Sequence, residues 1–118
     1  MLTRENTVKI IDFGLSNILQ ADYKFKTQCG SPSYASPEML LGTKYDGPAI
    51  DVWALGIILV AMVCGYLPFD DDDTPKLYKK IIKGDFQIPS HVSPDLCDLL
   101  KQILVVDPTK RITMQGIF

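Results

Sequence analysis

Asp12-Phe13-Gly14 places a carboxylate two positions before a glycine, directly after the β-rich run Thr7-Val8-Lys9-Ile10-Ile11. A strand ending there delivers the carboxylate to a loop. The same residues also suit an ordinary strand-end turn, with Gly14 supplying the bend. The other acidic cluster, Asp70-Asp71-Asp72-Asp73, lacks the alternating D-x-D-x-D-G spacing of a calcium loop. It fits a solvated helix start favoured by the helix dipole, and more weakly a patch that attracts basic groups. His91, the sole histidine, lies in a Pro/Ser-rich stretch without a partner in sequence and is assigned no catalytic role. Cys29, Cys64 and Cys97 are odd in number and form no C-x-x-C pair, so they read as free thiols of a reducing compartment, the cytoplasm, rather than zinc ligands.

The elements that position these groups follow from turn chemistry and periodicity. At 118 residues and 47% apolar content the chain fits one globular unit. Its net charge of -2, with no basic run, argues against nucleic-acid binding. No apolar signal-like segment opens the chain. Between Gly14 and Pro37 neither helical nor strand periodicity persists, which marks a functional or disordered segment. Ser36-Pro37 predicts a short helix through Met39-Leu40-Leu41, with Ser36 as its cap and Gly42 as its end. Gly47-Pro48 opens a long apolar helix closed by Gly65 and Pro68. Its uncharged run, Val52–Leu67, is short of the roughly 20 residues of a membrane span and lacks flanking Lys/Arg, so a buried central helix is expected. Thr74-Pro75 repeats the cap-then-proline signature, with Thr74 as the expected cap, and starts an amphipathic helix carrying Leu77, Tyr78, Ile81 and Ile82, which Gly84 stops. Ser93-Pro94 starts another with Leu96, Leu99, Leu100, Ile103 and Leu104 on one face. Asp107-Pro108 breaks the chain, and Thr113 caps a last helix. The pattern is one mainly α unit over residues 1–118 with one or two short strands.

Five motifs stand in order: Asp12-Phe13-Gly14; Gly30-Ser31-Pro32-Ser33-Tyr34-Ala35-Ser36-Pro37-Glu38; Asp51-Val52-Trp53-Ala54-Leu55-Gly56; Gly65-Tyr66-Leu67-Pro68-Phe69; and Asp107-Pro108-Thr109-Lys110-Arg111. A lone D-F-G carries almost no information, but all five in this order are specific. The chain resembles the helical C-terminal lobe of a eukaryotic Ser/Thr protein kinase, with the N-terminal lobe absent from it. The segment Phe25-Lys26-Thr27-Gln28-Cys29-Gly30-Ser31-Pro32 is similar to the AMP-activated and SNF1-related branch of calcium/calmodulin-kinase-like enzymes. Ser36 within Tyr34-Ala35-Ser36-Pro37-Glu38 is closest to its brain-selective and fungal septin-linked members.

The resemblance implies a role for each motif. Asp12 matches the carboxylate that holds Mg²⁺ against the phosphates of ATP. Thr27 matches the activation-loop phosphorylation site, where a phosphate of about -1.5 to -2 charge orders the loop by pairing with arginine. Ser31 and Pro32 match the segment beside the acceptor residue of a protein substrate. Glu38 and Arg111 match a buried ion pair, and Asp51 matches the carboxylate that holds the catalytic loop. Trp53 and Phe69 are expected in the core.

Phosphoryl transfer also needs a glycine-rich loop, a strand lysine and the H-R-D-x-K-x-x-x-N loop with its catalytic base. None of these occurs in the 118 residues, so no catalytic residue is assigned and the chain by itself is expected to be inactive. Gly116 stands where a glutamate would complete a capping box with Thr113, which loses the reciprocal cap and adds about 1 kcal/mol of helix cost. Two readings follow. One is part of a Ser/Thr kinase using ATP and Mg²⁺, with a protein substrate and an upstream activating kinase as partners; the other is a short non-catalytic kinase-like binding module. A membrane protein is the weakest reading.

Overall fold

Proline in the first turn opens most of the helices, and a left-handed glycine closes two of them. The computed structural model describes residues 1–14, 16, 31–43 and 45–118. Thr27 and Cys29 lie outside the described residues. A 3₁₀ turn, Pro32–Tyr34, leads to helices α1 (Pro37–Leu40), α2 (Gly47–Cys64), α3 (Thr74–Lys83), α4 (Pro94–Ile103) and α5 (Met114–Ile117). Helices α1 to α4 each carry proline at their first or second position, where the missing N–H removes no helical bond. Ser93 Oγ accepts from the Leu96 amide at 3.4 Å, and Thr113 Oγ1 from the Gly116 amide at 3.2 Å.

Two expected caps are corrected. The cap of α3 is Asp73 rather than Thr74: Asp73 Oδ1 accepts from the Lys76 amide at 3.1 Å, and a carboxylate gains more from the helix dipole than a hydroxyl. Ser36 does precede α1, but its hydroxyl caps nothing. Its Oγ is buried and has no hydrogen-bond partner among the described residues.

The core gathers one face of α2, packed against α4, with buried residues of α3 and of the connecting segments. Val52, Trp53, Ile57 and Val60 of α2 are buried together with Phe69, Leu77, Ile81, Leu100, Ile103 and Leu104. Full burial of such side chains stabilises by about 1.5–3 kcal/mol each. Trp53 stacks on Phe69 with ring centroids 5.7 Å apart and planes 5° from parallel, and Phe86 meets Phe69 edge-on. Gly56 lets α2 and α4 approach: a Cβ there would overlap Ile103 and come within 2.9 Å of Leu104 Cδ2.

Two expectations about elements are revised. α2 is apolar enough to cross a membrane by length and composition, with 18 residues and a mean hydropathy of 2.0. It is not buried all round: Leu55, Ile58 and Met62 on its other side are exposed, Met62 by 79%. The run Thr7–Ile11 forms no extended strand. It ends a small hairpin in which Leu2 bridges Val8, Lys9 N donates to Met1 O at 2.8 Å and the α-amino group of Met1 donates to Lys9 O at 2.9 Å. A lone two-stranded hairpin without a sheet to join is short and weak. Val8 and Ile10 accordingly remain exposed.

Candidate functional site

The hairpin hands the chain to Asp12, whose backbone takes φ 62°, a left-handed conformation that aspartate tolerates better than most residues. The Gly14 amide donates to Asp12 Oδ1 at 3.4 Å, and Ser16 donates to Phe13 O from both its amide (3.0 Å) and its hydroxyl (2.6 Å). The result is a tight polar turn with Asp12 and Phe13 exposed to solvent. Among the described residues no group of three or more His, Cys, Asp or Glu is placed to hold a metal ion. Mg²⁺ is commonly held by one or two carboxylates plus phosphate oxygens and water, so Asp12 fits one ligand position. It does not fit a nucleotide by itself: the chain has no glycine-rich loop or strand lysine to take the phosphates.

Ser31 and Pro32 open the 3₁₀ turn, closed by Tyr34 N to Ser31 O and Ala35 N to Pro32 O, both at 3.1 Å. Ser31 is exposed, and the turn packs against α2. The chain then runs through Ser36 and Pro37, both almost completely buried, into Glu38.

Glu38 is 5% exposed and Arg111 also 5% exposed, although 73 positions separate them. Arg111 Nη1 lies 2.8 Å from Glu38 Oε1, and Nη2 donates to Glu38 Oε2 at 3.0 Å, a bidentate pair. Arginine carries five N–H donors, and the remaining ones also find acceptors. Nε donates to Val105 O at 3.0 Å, Nη1 to Ala49 O at 2.7 Å, and Nη2 makes a longer bond to Val106 O at 3.5 Å. The guanidinium carbon lies 5.0 Å from the centre of the Trp53 ring, in cation–π range. Sequence reasoning found no trace of the carbonyl partners or the indole. The donor count of arginine is the only signal that further acceptors are required. The backbone beyond the Ser31–Pro32 turn is thereby tied to the start of α2 and to the loop after α4.

Asp51, in the second turn of α2, has no hydrogen-bond partner for its carboxylate among the described residues. Asp51 lies at the surface, yet desolvation of its carboxyl by the surrounding chain pushes it above the ordinary value. Asp12 and Asp51 form no bond to each other or to the other assigned residues that are described. At the start of α3, Asp71 Oδ1 accepts from the Asp73 amide at 3.0 Å and Oδ2 pairs with Lys80 at 2.9 Å. These contacts hold its carboxyl below the ordinary value, the backbone bond first and Lys80 second. The acidic run is therefore a structured helix start. His91 is exposed, and Cys64 and Cys97 are free thiols.

Comparison with known proteins places this geometry in a family. The protein kinase domain profile matches residues 1–118. The chain is 50% identical over 117 residues to serine/threonine protein kinase OSK3 of Oryza sativa subsp. indica, covering 99% of this chain and 23% of that protein. It is equally similar to OSK4 of the same subspecies, at 50% over 117 residues and the same coverage. It is 48% identical to the probable serine/threonine-protein kinase MARK-A of Dictyostelium discoideum, over 99% of this chain and 11% of that protein. The chain thus spans less than a quarter of the length of the curated relatives it matches, and it belongs to the protein kinase family.

Proposed function

We propose that residues 1–118 are the part of a Ser/Thr protein kinase domain that runs from the magnesium-binding loop through the activation segment into the helical lobe. In the complete domain this part serves transfer of the ATP γ-phosphate to serine or threonine of a protein substrate in the cytoplasm. The observation that carries the reading is the ordered set of five motifs in a chain about half identical to named Ser/Thr kinases. The segment around Thr27 supports the AMP-activated and SNF1-related branch. In this reading Asp12 is one Mg²⁺ ligand, Thr27 receives an activating phosphate from an upstream kinase, and Ser31 and Pro32 position the acceptor. Glu38 and Arg111 hold that segment in register, and Asp51 anchors the catalytic loop. The chain by itself supplies no catalytic base and transfers no phosphate.

The test is a graft. Residues 1–118 replace the matching segment of OSK3, and Mg²⁺-dependent phosphate incorporation into a serine peptide is measured. Transfer by the graft, its loss on Asp12→Asn, and no transfer by the ungrafted chain are expected. A graft equally active with Asp12→Asn, or transfer by the ungrafted chain, contradicts the reading.

A further inference from the structure

α3 divides its charge from its apolar surface with unusual sharpness. At about 100° per residue, Lys76, Lys79, Lys80 and Lys83 fall within an arc of about 100°, opposite the face that carries Leu77 and Ile81. Leu77 and Ile81 are buried in the core, which turns the lysine arc outward; Lys76, Lys79 and Lys83 are exposed. Lys80 is occupied: its ammonium pairs with Asp71 at 2.9 Å and donates to Asp70 O at 2.7 Å. Lys76 acts on Asp71 through space and helps hold its carboxyl down. Lys79 and Lys83 make no ion pair among the described residues. The chain as a whole carries a net charge of -2, so this stripe is a local concentration of positive charge against an acidic background.

Acids bound the stripe at both ends. Asp70 to Asp73 precede α3, and Asp85 follows its last turn, just past Gly84. From Lys76 to Lys83 the helix rises about 10 Å, the length of about three extended residues. A long polyanion or a flat anionic bilayer laid on the stripe meets these acids as well as the lysines, and like-charge contact rejects it. A short anionic segment meets only the lysines. We infer that the Lys76–Lys79–Lys83 stripe of α3 is a docking surface for a short acidic segment of a protein partner, with carboxylates spaced over about 10 Å. None of its lysines has a role assigned in phosphoryl transfer, and its occupancy does not depend on that reaction.

A labelled peptide carrying three successive glutamates between uncharged glycine and serine residues, titrated into the full chain and followed by fluorescence anisotropy, tests the assignment. Saturable binding is expected, weakened about tenfold or more by the combined K76Q, K79Q and K83Q substitutions and strongly weakened by salt. Lys9→Gln, on the N-terminal hairpin, leaves it unchanged. Melting of the triple variant at the parent's temperature shows that the loss arises at the surface; if it melts lower, the single Lys79→Gln and Lys83→Gln variants are read instead. Absence of peptide binding, or an equal loss with Lys9→Gln, overturns the proposal. So does tighter binding of phosphatidylserine vesicles or of a single-stranded DNA oligonucleotide than of the peptide.

Discussion

A guanidinium removed from water is tolerated only when its donors are matched, and Arg111 matches all of them inside a shell closed by the Trp53 ring. Such an arrangement is costly to break from one side. Arg111→Met leaves the Glu38 carboxylate buried without its partner and is expected to destabilise by about 3–5 kcal/mol. Glu38→Gln keeps the shape and should cost less. Urea denaturation of the single and double variants measures the coupling, and additive losses would show that the pair contributes no coupling of its own. Both residues were legible in the sequence only through resemblance, since nothing in composition or periodicity links positions 73 apart. Ser36 shows the reverse limit. Its type and its place before Pro37 signal a cap, yet burial against the core leaves its hydroxyl without a partner among the described residues.

At the scale of elements, helix limits were the most legible feature, because proline and glycine act locally. The end of α2 at Gly65, with φ 78°, and of α3 at Gly84, with φ 64°, follow from residues that accept the left-handed conformation. Burial was less legible. Apart from Asp51, α2 carries apolar residues around its whole circumference, so its sequence says little about which face meets the core. The strand expected over Thr7–Ile11 fails for a related reason: β propensity needs a neighbouring strand, and that is a non-local fact. Gly56 illustrates what packing adds. Helix propensity alone favours alanine there by about 1 kcal/mol, whereas overpacking costs about 1–3 kcal/mol. Because the new Cβ collides with Ile103 and Leu104, Gly56→Ala is expected to lose up to about 2 kcal/mol net. A thermal melt checks the sign, and a raised midpoint would show that α4 simply shifts away.

For the whole molecule, acid stability combines carboxylates of opposite tendency. Asp71 and Asp107 titrate below the ordinary 3.8 in the folded chain, Asp107 chiefly through its bonds from the Thr109 hydroxyl and amide. Each contributes stability above the ordinary value that is lost as pH falls through its folded value. Asp51 titrates above 3.8, so the folded chain binds its proton more readily than the unfolded one. Its ionisation opposes folding at neutral pH, and that opposition disappears below the ordinary value. Asp51→Asn is therefore expected to raise stability near pH 7 and to lose this advantage as pH falls below the ordinary 3.8. Asp71→Asn should lower stability at neutral pH and flatten the decline below 3.8. Denaturant midpoints across pH measure both, and a stabilising Asp71→Asn at neutral pH would reverse the assignment. The motif order conveyed the family and the mainly helical architecture, but not these balances, which depend on partners brought together by folding.

The chain has a single tryptophan, and it stands where the Arg111 guanidinium, the Phe69 ring and the core converge. All indole emission from the molecule therefore originates at one enclosed point, free of contributions from solvent-facing indoles. The protein carries a built-in optical gauge of the junction that ties together two segments 73 positions apart in sequence.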